Sequence, residues 1–267
     1  MSVPRCLTVA GSDSGGGAGI QADLKTFTAF RAFGMSVIVA LTAQNSCRVV
    51  SIHPVPVKFI EDQMDAVLTD IGTDAAKTGM LFSSEIIWSV AGKFREYGVR
   101  NIVVDPVMVS KSGARLLQES AVNSLKSNLL PQCTLVTPNV PEAEVISGIR
   151  INGEEDMVRA GEKIRDEFGC SVLMKGGHTN LQEVPDILVA SKVSRFTGTR
   201  IETRNTHGTG DTLSSAICAC LAMGKSLEQS VRIAKSYLQK AIEASFPMGQ
   251  CFGSLGHFWN CSLGNGL

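Results

Sequence analysis

Asn101-Ile102-Val103-Val104-Asp105-Pro106 is a run of apolar, β-branched residues stopped by a proline. A short continuous apolar run closed by a turn signal predicts a strand buried on both faces, the kind found in parallel sheets. Leu135-Val136-Thr137-Pro138 repeats the form, and Leu7-Thr8-Val9-Ala10 ends the same way at Gly11. Val37 to Leu41, Ala75 to Thr78 and Ser171 to Lys175 read as further strands. Helical patterns lie between them. Ile20, Leu24, Phe27 and Phe30 recur at helical spacing and predict a helix over Gln21 to Phe33. Phe59 to Ile71, Ser84 to Tyr97 and Glu154 to Phe168 are read likewise. The pattern changes near Asp186, where 187–189, 193–196 and 199–202 read as antiparallel strands. Two helices, Thr212 to Met223 and Leu227 to Ala244, precede a glycine-rich irregular tail. The expectation is one α/β domain over residues 1–267. Its central sheet is mostly parallel, with helices on both faces and a few antiparallel edge strands.

Composition narrows the function classes. The chain has 267 residues, 44% hydrophobic and 19% charged, enough for a sizeable core. Lys+Arg and Asp+Glu both number 25, so no basic footprint points to nucleic acid or to an anionic membrane surface. No apolar run approaches the roughly 20 residues of a membrane span. The start, Met1-Ser2-Val3-Pro4-Arg5, has no signal-peptide shape, and a cytoplasmic location is expected. The eight cysteines offer no C-x-x-C pair or zinc spacing and are expected to be reduced and mostly structural.

In open α/β sheets ligands sit beyond the carboxyl ends of the strands. The polar and glycine-rich signals of this chain fall there. Asn205-Thr206-His207-Gly208-Thr209-Gly210-Asp211-Thr212 opens a long apolar helix. Free amides at such a helix start favour an anion. Asp211 places a carboxylate in the same turn, and an anion cradle with a built-in base is what phosphoryl transfer to an alcohol needs. The plainer alternative is a tight turn with Asp211 as a capping residue. Asp105 ends a strand and Glu142 follows Asn139 at a helix start, so the two could hold a magnesium ion against phosphate oxygens. Alone, Glu142 reads as a helix-dipole partner. Lys175, before Gly176-Gly177-His178, can neutralise phosphate charge. His207 is expected to shape the anion loop. The glycine run Gly11 to Gly19 fits neither the dinucleotide fingerprint nor a P-loop, and is expected to let the backbone fold over a small flat ligand. No serine–histidine–acid set with a nucleophile elbow supports hydrolase chemistry.

Taken in order, these motifs resemble those of the hydroxymethylpyrimidine/phosphomethylpyrimidine kinases of thiamine biosynthesis, within the ribokinase-like superfamily. The resemblance runs from Leu7 to about Phe258. It is carried by Ala10-Gly11-Ser12-Asp13, Gly16 to Thr26, Gly34-Met35-Ser36-Val37, Ala40 to Asn45 and Thr78-Gly79-Met80-Leu81. It continues through Asp105 to Val109, Lys111-Ser112-Gly113, Thr137 to Glu144, Lys175 to His178 and Asn205 to Gly210. The resemblance implies an ATP- and Mg²⁺-dependent kinase acting on 4-amino-5-hydroxymethyl-2-methylpyrimidine and on its monophosphate, and a homodimer. It implies that Gln44 binds the polar edge of the pyrimidine. Gly11, Ala18, Asp23, Met80 and Val107 would line the pocket, with Met80 against the ring. It further implies that Asp105, Asn139 and Glu142 serve the nucleotide and metal, that Lys175 and Thr209 contact phosphate, and that Gly208, Thr209 and Gly210 supply the anion hole.

One departure concerns Asp211. The pyrimidine kinases usually carry cysteine there, whereas the wider superfamily carries an aspartate base. A carboxylate beside a substrate phosphate repels it by roughly 4 kcal/mol at about 4 Å and an effective dielectric near 20. The second phosphorylation is therefore expected to suffer more than the first. The tail segment Gly253 to Phe258 also departs from the family pattern and is expected to close over the nucleotide side. Two alternatives stand beside this reading: a pyridoxal or pyridoxine kinase, and a non-catalytic pyrimidine-binding sensor.

Overall fold

The computed structural model describes residues 2–108, 119–177 and 185–261. Val109, Lys111-Ser112-Gly113 and His178, quoted above, lie outside the described residues. Nine strands form one sheet in the order β3-β2-β1-β4-β5-β6-β7-β8-β9. The parallel centre comprises β1 (Arg5–Gly11), β2 (Phe33–Gln44), β4 (Ala75–Thr78), β5 (Ile102–Val104), β6 (Leu135–Val136) and β7 (Ser171–Met174). Antiparallel strands complete each edge: β3 (Val49–Pro54) beside β2, and β8 (Asp186–Val189) with β9 (Val193–Phe196) beyond β7. The third antiparallel strand expected at 199–202 does not form, and β3 is an edge strand that the apolar pattern does not predict.

Side chains alternate across the sheet, and the alternation assigns each helix to a face. Leu7, Val9, Ile102, Val104, Val172 and Met174 point to one core with α2 (Val57–Asp70), α3 (Ser84–Glu96), α4 (Glu119–Ser124), α5 (Val140–Ser147) and α6 (Glu154–Phe168). Cys6, Val103, Leu135, Leu173 and Leu188 point to the other, with α1 (Gly19–Ala29), α7 (Thr209–Ala222) and α8 (Leu227–Glu243). α3 illustrates the pattern. Ser83 caps its first turn by accepting from the Ile86 N–H, and Ile86, Ile87, Val90 and Phe94 form its buried stripe. Each such side chain contributes about 1.5–3 kcal/mol on burial. α7 is apolar enough to be buried along most of its length, which fixes its first turn beneath the carboxyl ends of β1, β4 and β5.

The cysteines depart from expectation at one point. Cys47, in the turn between β2 and β3, is disulfide-bonded to Cys251 in the tail. Cys6, Cys133, Cys170, Cys218 and Cys220 are free and buried, as read from the sequence, and Cys261 is free and exposed. A pairing across 204 residues of chain leaves no local spacing signal.

Candidate active site

The site is built around the first turn of α7. Gly208 sits at its N-cap with φ of 82°, and a Cβ there would run into the Gly17 carbonyl oxygen. Only glycine suits that combination of left-handed backbone and close approach. Thr209 and Gly210 follow as the first helical residues and Asp211 as the acidic residue of the turn. α7 thus presents unpaired amides and a carboxylate at one helix start.

Two lysine–carboxylate groups flank this turn. On one side Lys175 Nζ lies 2.8 Å from Asp105 Oδ1, and Thr137 Oγ1 is 3.3 Å from the same oxygen. A Cβ placed on Gly210 would be 3.1 Å from Asp105 Oδ2 and 3.5 Å from Lys175 Nζ, so the α7 amides border this pair directly. Glu142 is in a capping box: it accepts from the Asn139 N–H at 2.9 Å while Asn139 Oδ1 accepts from the Glu142 N–H at 2.9 Å. Burial raises the Glu142 carboxyl to about 7, with Asp105 adding to the rise and Lys175 opposing it. Burial works against the charge on Lys175, but Asp105 and Glu142 outweigh it and hold the ammonium above its ordinary range. On the other side Asp211 Oδ1 lies 3.0 Å from Lys77 Nζ. Burial opposes ionisation of Asp211. Lys77, the Gly19 N–H and His207 overcome it and keep the carboxyl below its usual range.

Most of the expected pocket residues lie at the strand ends and loops around this corner. Gly11 and Met80 meet directly: the Gly11 N–H donates to the Met80 carbonyl at 3.2 Å, and a Cβ on Gly11 would lie 2.5 Å from Met80 Cε. Val107 lines a hollow with Thr78, Gly79 and Asp105. Gln44 ends β2, its Nε2 lying 3.3 Å from His207 Nε2. Ala18 is the N-cap of α1, its N–H turned inward to Asp13. Asp23 is different. It is fully buried, and its oxygens are taken by Thr8, Ser215 and Lys77. Its carboxylate therefore faces the α7 base from behind and offers no free edge to a pocket.

Sequence reading passed over two residues. Asp13 accepts from the amides of Gly15, Gly17 and Ala18 at 2.8, 2.9 and 2.8 Å, and lies 3.0 Å from His207 Nε2. Burial opposes its charge, but His207 and those amides hold its pKa below the ordinary value. The glycine loop thus spends these amides on its own aspartate, which explains why it does not read as a phosphate loop. A carboxylate inside Gly11-Ser12-Asp13-Ser14-Gly15 was the available signal. Lys77 is the second, and a charged residue amid Ala75-Ala76-Lys77-Thr78 was its signal. The residues just before Gly253 have a tie that the sequence did not signal. The Phe252 N–H donates to the Ser46 carbonyl, and Cys251 is bonded to Cys47, so this stretch is fastened to the turn that carries Gln44.

The donors available to a cation, Asp105 and Glu142, are hard oxygens of the kind Mg²⁺ takes in ones and twos beside substrate phosphates. Asp105 adds to the cost of ionising the buried Glu142, and a dication between the pair and a triphosphate would offset that cost. Among the described residues no cluster of three or more His, Cys, Asp or Glu side chains is arranged to hold a metal unaided.

Fold and site together define an α/β kinase of ribokinase-like architecture. The phosphomethylpyrimidine kinase family model matches residues 13–256, and the chain belongs to that family. The hydroxymethylpyrimidine/phosphomethylpyrimidine kinase of Bacillus subtilis (strain 168) is 43% identical over 260 residues, covering 97% of this chain and 96% of the relative. The thiamine biosynthesis bifunctional protein ThiED of Geobacter sulfurreducens is 50% identical over 252 residues. That match covers 94% of this chain and 51% of the relative, so the chain spans about half of the bifunctional protein. Among solved structures, the pyridoxal kinase from Staphylococcus aureus in complex with AMP-PCP and pyridoxal superposes with a TM-score of 0.90. It shares 33% identity, with 98% of this chain and 96% of that chain covered.

Proposed function

We propose that this kinase transfers the terminal phosphoryl group of ATP to the hydroxymethyl oxygen of 4-amino-5-hydroxymethyl-2-methylpyrimidine, and then to the monophosphate so formed, in thiamine biosynthesis. The observation that carries the reading is the convergence on one helix start of a paired base, Asp211, and an anion corner, Lys175 with Asp105. Family membership and the names of its relatives support the substrate. The AMP-PCP complex of the similar pyridoxal kinase supports ATP as donor.

The steps follow from the residues. Asp211 takes the proton of the substrate hydroxyl as its oxygen attacks the γ-phosphorus in line. The Gly208, Thr209 and Gly210 amides and the α7 dipole stabilise charge on the transferring group. Lys175 meets the phosphate oxygens. Mg²⁺, bound through Asp105 and Glu142, would supply charge neutralisation of the triphosphate. Gln44 would hydrogen-bond the polar edge of the ring, and Met80, Gly11 and Val107 would enclose its face. Asn139 orients Glu142 through the capping box. A homodimer and a cytoplasmic location are part of the proposal. The exposed apolar side chains Phe33, Leu41 and Val50 on the β2–β3 edge support self-association. In the reducing cytosol the Cys47–Cys251 bond would open.

Steady-state turnover of the pyrimidine alcohol, its monophosphate and pyridoxal tests the assignment. ATP-dependent turnover of the two pyrimidines above pyridoxal is expected. Turnover of pyridoxal alone would instead make this a pyridoxal kinase, the reading that the 0.90 superposition favours. Ring binding without ADP release would make it a sensor.

A further inference from the structure

Lys77 is a charged residue on an interior strand of the sheet, β4, and the mechanism above gives it no task. It is fully buried, as is its partner Asp23. In register, Lys77 of β4 stands beside Thr8 of β1, and both side chains reach the α1–α7 face. Lys77 Nζ lies 2.8 and 3.0 Å from the two Asp23 oxygens and 3.0 Å from Asp211 Oδ1. Thr8 Oγ1 and Ser215 Oγ donate to Asp23 at 2.6 Å each, so both its oxygens are doubly engaged. Buried charges of this kind are poor devices for stability, because apolar side chains of similar volume do as well or better. Only Asp211 in the trio reaches solvent, with 17% of its side chain exposed. The trio therefore has one working end.

We propose that Lys77 is the positioning residue of the catalytic base: anchored by Asp23, it pins one oxygen of Asp211 and keeps the carboxylate ionised, leaving its remaining lone pairs for the substrate hydroxyl. The inference rests on Asp211 being the base. The charge balance suits proton transfer. Two carboxylates and one ammonium carry a net single negative charge before the step. When the hydroxyl proton passes to Asp211 as the new O–P bond forms and the bond to ADP breaks, the trio becomes neutral, and Lys77 keeps its protons throughout. Without Asp23 the same transfer would leave a net positive charge in a sealed space. The depressed Asp211 pKa agrees with this arrangement. The other groups that act on Asp211 are His207 ahead of α7, Lys175 after β7, His257 in the tail and the Gly19 amide.

The test compares the parent with Lys77→Met, Asp23→Asn and the charge-balanced double variant, each checked for folding by circular dichroism. The readouts are kcat, ring-alcohol KM and the pH profile of kcat, on whichever ring alcohol the parent turns over. Lys77→Met is expected to lower kcat about 10- to 100-fold with KM within about threefold. It should also move the acid limb of kcat up by on the order of one pH unit, since Asp211 then faces Asp23 without a cation between them. Should Lys77→Met fail to fold, the double variant carries the test: it removes both buried charges, and a lowered kcat is again expected. Parental kcat and acid limb in the folded single or double variant would overturn the proposal, as would a loss confined to KM. An unimpaired Asp211→Asn variant would instead remove the base assignment itself, which separates the two failures.

Discussion

Two groups of the same composition, one lysine and two carboxylates, flank the start of α7, and they differ in access. Lys77, Asp23 and Asp211 form a group whose lysine and rear carboxylate are fully buried. Lys175, Asp105 and Glu142 form the other, and there the lysine side chain keeps 15% of its surface exposed. A sealed cation can only tune the carboxylate it holds. A cation with an open side can exchange part of its pairing for a ligand phosphate. The same elementary parts therefore serve proton handling on one side of the turn and phosphate handling on the other.

That division can be broken in order of expected effect. Lys175→Met should raise the KM for ATP and lower kcat, together on the order of 100-fold in kcat/KM, while leaving ring binding nearly unchanged. Weakened ring binding with unaltered ATP kinetics would merge the two corners. Asp211→Cys introduces the residue that the resemblance leads one to expect there and removes a negative charge beside the substrate phosphate. The ratio of monophosphate to alcohol turnover should rise on the order of tenfold, part of the roughly 4 kcal/mol repulsion being offset by Lys175 and the helix start. An unchanged ratio would show that Asp211 does not limit the second step.

A smaller effect is on stability. Glu142 titrates near 7 in the folded chain, against an ordinary 4.5. Between those values the folded state holds more protons than the unfolded one, so this group's contribution to stability falls as pH rises through the window. The Tm difference between parent and Glu142→Gln, followed from pH 4 to 8, should shift against the parent as pH rises. A pH-independent difference would contradict the buried assignment. The smallest effect is chemical: six thiols should label in the unfolded chain after air oxidation and eight after reduction, the difference being Cys47 and Cys251.

How much of this was legible depended on burial. β1, β5 and β6 announced themselves because strands covered on both faces read as unbroken apolar runs. β3 did not: it is an edge strand with Val50 63% exposed, and its Val-Val-Ser-Ile-His-Pro sequence carries no clean alternation. Residues 199–202 looked extended, yet among the described residues β9 is the last strand of the sheet and only Thr199 of that stretch makes a β-bridge. Asp211, Lys175 and Asp105 were readable because each follows a strand end or opens a helix among glycines. Asp23 was carried into the pocket by resemblance alone, and its burial beside Lys77 came only from the way β4, α1 and α7 pack. The pairing of Cys47 with Cys251 came from the same kind of long-range closure.

The central claim is that Asp211 removes the proton while the opposite corner holds the phosphate. Its most direct test is Asp211→Asn, with kcat measured beside the dissociation constant of the ring alcohol. The account predicts a fall in kcat of about 10²- to 10⁴-fold with ring binding nearly unchanged. An Asn variant that turns over at the parental rate would contradict it.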